Sequence, residues 1–121
     1  MIVSVTRDSV CAGDDVDAPH EKKFLFPDAV SLDAAIKRVL SDSYLANIAG
    51  GFATWVVESE FPIAVVAQQW LNPRMFEPKQ GLSGPFDTNT SDVVRLHFRY
   101  LQQADPDATY ERINRERASA P

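Results

Sequence analysis

Residues 52–69 read FATWVVESEFPIAVVAQQ, and the reading of this stretch decides the fold. Residues 52–57 and 62–69 are apolar at both alternating positions and rich in valine, and Glu58, Ser59, Glu60 and Phe61 separate them by hairpin spacing. A strand that is apolar on both sides must be covered on both sides, so this hairpin belongs at the centre of a sheet. One cover is written just upstream. Ser31 precedes Leu32, Ala35, Ile36, Val39 and Leu40, which share one helical face, with Ser31 as N-cap, Asp33 in the first turn and Lys37 and Arg38 toward the end. The helix should stop near Asp42. Tyr44, Leu45 and Ile48 are spaced for one more turn before Gly50 and Gly51 break the pattern. For the second face the candidate cover is residues 72–90, irregular because of Pro73, Pro78, Gly81, Gly84 and Pro85 but apolar through Met75, Phe76, Leu82 and Phe86.

Further outward, Ile2, Val3 and Val5 open a first strand that ends between Arg7 and Val10. Residues 11–20, within CAGDDVDAPHE, are expected to form an exposed connection, since glycine, aspartates and proline suit neither helix nor strand. Lys23, Phe24, Leu25 and Phe26 make a short second strand ended by Pro27 and Asp28, giving a long-looped hairpin. Val94, Leu96, Phe98 and Tyr100 alternate with Arg95, His97, Arg99 and Leu101. A helical spacing also fits residues 91–101, but the aromatic and β-branched content favours a strand. Asp105 and Pro106 then supply an N-cap and N1 pair for a last helix through Tyr110, Ile113 and Asn114, with the tail fraying after Arg117. The expectation is one α+β domain over residues 1–121. Its mainly antiparallel sheet has about five strands in the order β-β-α-β-β-β-α, with one principal helix packed on one face.

The chain has 121 residues, 45% hydrophobic and 24% charged, which excludes a wholly disordered or collagen-like polymer. A single cysteine, Cys11, cannot close an intramolecular disulfide, so a reducing, cytoplasmic location is expected. The first residues do not read as a leader, and no window approaches a membrane span. Net charge is −5, and most of it is early: residues 1–21 hold Asp8, Asp14, Asp15, Asp17 and Glu21 against Arg7 alone. Arg95, Arg99, Arg112, Arg115 and Arg117 form the one basic concentration and are interleaved with Asp105, Asp107, Glu111 and Glu116, so nucleic acid is not an expected partner.

Motifs for chemistry are sparse. Asp14, Asp15, Asp17, His20 and Glu21 offer hard ligands, but Gly13 and Pro19 are misplaced for a calcium loop, so no metal is assigned. Cys11 with His20 is a conceivable nucleophile pair, yet the surrounding aspartates oppose thiolate formation. The glycine-flanked Ser83 lacks the nucleophile-elbow pattern, and Gly50 and Gly51 lack that of a phosphate loop. Trp55 reads as core. Trp70, followed within a few residues by Arg74 and Met75, reads either as a contact hot spot or as a residue buried beneath residues 73–86. No cofactor is called for.

The run GDDVDAPHEKKFLFPDAVSLDAAIKRVL (13–40), with AGGFATWVV (49–57) and PIAVVAQQW (62–70), resembles the small acidic α+β immunity proteins of bacterial toxin–immunity systems. The resemblance lies in size, acidity and element order over about residues 1–101. It implies a non-catalytic domain that neutralises a cognate, basic toxin through an acidic surface. Asp14, Asp15, Asp17 and Glu21, together with Trp70 and Arg74, are the expected partner-binding residues. The alternative is a small enzyme or ligand-binding domain that uses His20, His97 and nearby acids in a shared pocket. A third option is a subunit whose open sheet edge pairs with a second copy.

Overall fold

In a computed structural model, residues 1–28, 30–45, 50–76 and 93–119 are described. Strand β1 (Ile2–Arg7) leads through a 3-10 turn (Ala12–Asp17) to β2 (Lys22–Leu25) and helix α1 (Leu32–Ser41). Strands β3 (Thr54–Ser59), β4 (Phe61–Ala67), β5 (Arg74–Met75) and β6 (Val93–Tyr100) follow, and α2 (Pro106–Ser119) comes last. The six strands lie in the order β2-β1-β6-β3-β4-β5. All neighbours are antiparallel except β1 and β6, which run parallel from Ile2 opposite Val93 to Arg7 opposite Phe98.

The α+β class and the mainly antiparallel sheet agree with the sequence reading; among the described residues the sheet has six strands where about five were expected. The extra one is the two-residue β5, at the start of the stretch expected to be irregular, where Met75 and Arg74 pair with Ala64 and Val65. The long-looped β1–β2 hairpin and the central β3–β4 hairpin form as expected, and residues 93–100 are strand rather than helix. The parallel β1–β6 ladder was not expected. Alternating burial looks the same whichever way a neighbour runs, so periodicity carries no strand direction.

Helix α1 has the expected face: Leu32, Ala35, Ile36 and Val39 are buried, and Ser31 Oγ accepts a hydrogen bond from Ala34 N at 3.1 Å. It packs into a core with Val3, Val5, Trp55, Val57, Val66, Leu96 and Phe98. It ends at Asp42, and Ser43 at φ 58° turns the chain out of the helix. The further turn expected through Ile48 falls on residues outside the described ones. Gly50 and Gly51, at φ 94° and 72°, adopt the left-handed conformation that glycine tolerates best before β3 begins.

On the second sheet face Phe76, from the stretch expected to cover it, packs with Val56 and Val65, and α2 adds a cover that was not expected. Over β3 and β4 the cover includes α2, whose buried residues Pro106, Thr109 and Ile113 recur at helical spacing. Ile113 joins Val56, Val65 and Phe76 in a smaller core, with Trp70, Leu101 and Tyr110 packed around it. Phe76 and Tyr110 stack with ring centroids 4.6 Å apart. Asp105 caps α2 through a hydrogen bond from Asp107 N at 3.1 Å, as the Asp-Pro pair implied. Of the stretch expected to cover this face, residues 77–90 lie outside the described ones, as does the Gly81–Gly84 turn. No described helix is long and apolar enough to cross a membrane.

In the β3–β4 turn Ser59 is already paired with Phe61, so Glu60 alone forms the apex, at φ 62°. A left-handed backbone costs a residue with a Cβ about 1–2 kcal/mol, and glycine gives back part of that gain in chain entropy. Glu60→Gly should therefore raise unfolding free energy by about 0.5–1 kcal/mol in urea denaturation; a loss of stability would show that the Glu60 side chain supports the turn.

Candidate functional site

The acidic residues of the first connection are not an irregular loop. Residues 12–17 wind into a 3-10 turn in which Asp14 N donates to Cys11 O and Ala18 N to Asp15 O, both at 3.1 Å. Such short turns suit i to i+3 bonding, which glycine and aspartate permit where a longer helix would not form.

One acid of the turn faces inward. Arg7, last in β1, is 9% exposed and grips Asp14 with two hydrogen bonds, Nη1 to Oδ2 at 2.7 Å and Nη2 to Oδ1 at 3.0 Å. The same carboxylate accepts from Val10 N at 3.0 Å, and His20 Nε2 stands 3.6 Å from it while contacting Ser9 Oγ at 3.1 Å. Two-pronged guanidinium–carboxylate pairing fixes both partners in orientation. The hydrogen bond from Arg7, reinforced by that from Val10, holds the Asp14 carboxyl well below the usual carboxylate range. Tyr44, just beyond α1, closes the arrangement: its hydroxyl donates to His20 O and its ring lies 5.9 Å from the Arg7 guanidinium. Burial pushes the Tyr44 phenol up to about 12, so it stays a donor throughout the neutral range.

The rest of the turn faces solvent. Asp15, Asp17 and Glu21 are exposed, and between the first two stands Val16 at 84% exposure. A valine held out in water between two carboxylates was not singled out by the sequence, where VD after DD reads as one more polar connection. Only the register of the turn, fixed by Arg7, shows that Val16 points away from the core.

The six residues expected to bind one partner do not form one patch. Trp70 is half-buried against the α2-side core, and Arg74 lies with its guanidinium 3.9 Å from the centre of the Tyr110 ring and 3.4 Å from Asp107. Both belong to the β4–β5 edge. The acidic turn leaves β1, four strand positions from β5, about 19 Å across the sheet. Arg74 thus contacts α2, Trp70 packs beside the smaller core, and Asp14 is held by Arg7. Asp15, Asp17 and Glu21 remain accessible.

The two histidines do not share a pocket. Thr6 and His97 project from paired positions on the sheet face opposite to Arg7, with Thr6 Oγ1 2.8 Å from His97 Nδ1 and His97 Nε2 2.8 Å from Asp8 Oδ1. Asp8 Oδ2 accepts from Tyr100 N at 2.9 Å, and Asp8 N donates to Phe98 O at 3.0 Å. Both ring nitrogens of His97 thus have partners, and the array extends the β1–β6 ladder beyond Arg7. His20 instead sits with Arg7 and Tyr44, on the α1 side. Cys11 is exposed, and among the described residues no three His, Cys, Asp or Glu side chains are grouped to hold a metal ion. Strand β2, one edge of the sheet, exposes Lys22 and Lys23, and charged side chains on an edge discourage strand addition.

These features define an α+β protein that presents a short acidic turn braced from beneath by a buried arginine. The chain matches no protein-family model, and no curated protein or solved structure shows significant similarity to it.

A depressed carboxyl pKa stabilises the fold fully above the unfolded value, near 3.8, and that contribution fades as pH falls toward the folded value. Asp14→Asn should therefore be clearly less stable than the parent in urea at neutral pH, with the gap closing steadily below about pH 4. A gap independent of pH would mean that the Arg7–Asp14 charge pair is not what holds the turn.

Proposed function

We propose that the protein is a non-catalytic inhibitor of the immunity-protein kind, which docks its acidic turn on a cationic protein, a toxin domain with Lys and Arg lining its active cleft. The observation that carries this reading is the presentation of Val16 between Asp15 and Asp17 on a turn braced by Arg7 and Asp14. Carboxylates in such a place steer a basic partner into encounter and reject acidic competitors. An exposed apolar residue among them gives the contact a dry centre, the part of an interface where binding energy concentrates. Because the turn is already ordered, little conformational entropy is lost when it docks. Glu21, at the exit of the turn, extends the negative surface. Asp14 acts through its neighbours as a positioning residue.

The test begins with affinity capture from the native cell extract, followed by kinetics on the purified partner. Asp15→Asn/Asp17→Asn should slow association roughly tenfold at low salt and flatten its salt dependence. Val16→Ala should leave the association rate almost unchanged and speed dissociation roughly tenfold. The partner's enzymatic activity should fall to background at equimolar inhibitor. Unchanged rate constants in both variants, or a partner that stays active when saturated, would refute the proposal.

A further inference from the structure

On the sheet face turned away from α1, β1 and β6 place Ser4 opposite Arg95 and Thr6 opposite His97, and β2 adds Lys23 opposite Ser4. Thr6, His97 and Asp8 are joined in one chain of contacts there: Thr6 Oγ1 lies 2.8 Å from His97 Nδ1, and His97 Nε2 lies 2.8 Å from Asp8 Oδ1. A carboxylate can only accept, so in the neutral ring Nε2 carries the hydrogen and Nδ1 is left to accept from the Thr6 hydroxyl. That is the order of a hydroxyl nucleophile, a base and a group that orients the base, which is defined by geometry and not by position along a chain. Asp8 is itself fixed, because its Oδ2 accepts from Tyr100 N at 2.9 Å. The side chains of His97 and Asp8 are 34% and 40% exposed, so both are open to a substrate. Polar contacts so open to water add little to stability. Lys23 and Arg95 are exposed, and among the described residues neither takes part in an ion pair.

We propose that Thr6, His97 and Asp8 form a hydrolytic site for a carboxylic ester that carries a negative charge. Thr6 Oγ1 attacks the ester carbonyl carbon while its proton passes to His97 Nδ1. The bond from that carbon to the leaving oxygen then breaks, and His97 gives the proton to the departing alcohol, which leaves the acyl group on Thr6. Water next yields a proton to His97 and attacks the acyl carbon. The Thr6 oxygen departs with that proton, so one ester and one water become one acid and one alcohol. Asp8 is a positioning residue: it holds Nε2–H, keeps Nδ1 toward the hydroxyl and stabilises the ring while it is charged. Lys23 and Arg95, either side of Ser4 and two residues along the ladder from Thr6 and His97, attract an anionic substrate and its developing oxyanion. The site lies across the sheet from the Arg7 brace. It does not rest on the inhibitory reading, which concerns the acidic turn alone and whose docking neither needs nor forbids a reaction here.

The experiment incubates the full chain with an anionic ester, 5-acetoxy-2-nitrobenzoate, or with its neutral counterpart, 4-nitrophenyl acetate. Phenol release is followed by absorbance, and acid-quenched samples are digested with trypsin and sequenced by mass spectrometry. Acetyl should be found on Thr6, within the peptide of residues 1–7, and the anionic ester should have the higher kcat/KM by roughly tenfold. Thr6→Val should lose roughly 100-fold in kcat, and Thr6→Ser, which keeps the hydroxyl, should stay active. Asp8→Asn can still accept from Tyr100 N, yet it should lower kcat roughly 100-fold with KM unchanged. Lys23→Gln/Arg95→Gln should erase the preference for the anionic ester. Cys11→Ala should match the parent, which separates this activity from acylation of the exposed thiol. Should Thr6→Val not fold, the position of the acetyl group in the parent and the kcat of Asp8→Asn decide the matter. Acetyl confined to lysines, the Met1 amine or Cys11, parental turnover in Thr6→Val or Asp8→Asn, no preference for the anionic ester, or hydrolysis no faster than in buffer would each overturn the proposal.

Discussion

The parallel pairing of β1 with β6 is the constraint on which the remaining structure depends. It joins the beginning of the chain to a strand some 90 residues later, and without it the β1–β2 hairpin would have no bond to the β6-β3-β4-β5 part of the sheet. The pairing must therefore be specified by side chains as well as by backbone. Val3, Val5, Leu96 and Phe98 supply the apolar part beneath α1. At the far end the Asp8, His97 and Thr6 array takes over where the core stops, binding both strands through side-chain and main-chain contacts. A one-residue slip would bury Thr6 and His97 and expose Val5 and Phe98, so the polar array and the core enforce the same register.

That register decides what the first connection can be. Placing Arg7 on the α1 side sends its guanidinium beneath the chain that follows, where Asp14 meets it and the 3-10 turn closes over the pair. A guanidinium so nearly buried needs a carboxylate, and the connection supplies one. The early acids thus divide by task. Asp14 neutralises Arg7, and Asp8 supports His97. Asp15, Asp17 and Glu21 are left for solvent or for a partner. The net negative charge of the first 21 residues is real, but only part of it is presented outward.

Much of the fold was legible because its signals are local. The Ser31 cap, the spacing of Leu32, Ala35, Ile36 and Val39, the two-sided apolar hairpin and the Asp105-Pro106 pair each act within a few residues, and each formed where its chemistry placed it. The parts not legible depend on contacts distant in sequence. The direction of β6 relative to β1 leaves no trace in alternation. The cover of the second face by α2 was hidden because a helix whose buried residues, among those described, are Pro106, Thr109 and Ile113 reads as polar along its length. At the site, the acidic character of residues 14–21 was visible, whereas the inward turn of Asp14 and the outward turn of Val16 follow from Arg7, which composition alone does not connect to either. Trp70 and Arg74 were legible only as a pair of alternatives for the same reason. An aromatic and an arginine near a chain reversal look alike whether they await a partner or pack against the molecule's own body, as Trp70 does beside the smaller core and Arg74 does on Tyr110.

The segment just after α1 links the features that sequence reading kept separate. Tyr44 donates its hydroxyl to His20 O at the base of the acidic turn and meets Phe98 edge-on, 6.0 Å between ring centroids. Its neighbours Ser43 and Leu45 line a cleft that Trp55 also lines. The α1 terminus is itself tied to β2 by Lys22 and Asp42, 2.6 Å apart, a hydrogen-bonded pair that holds the Asp42 carboxyl below its usual range. Three consecutive residues therefore take part in the wall of a cavity, the main core and the brace of the turn. Ser43 accepts a left-handed backbone there because the helix must end abruptly for Tyr44 to reach His20. The acidic turn is consequently no free appendage: its position is set from beneath by Arg7 and from the side by Tyr44, and the body that holds it is the same packed layer that encloses the cleft.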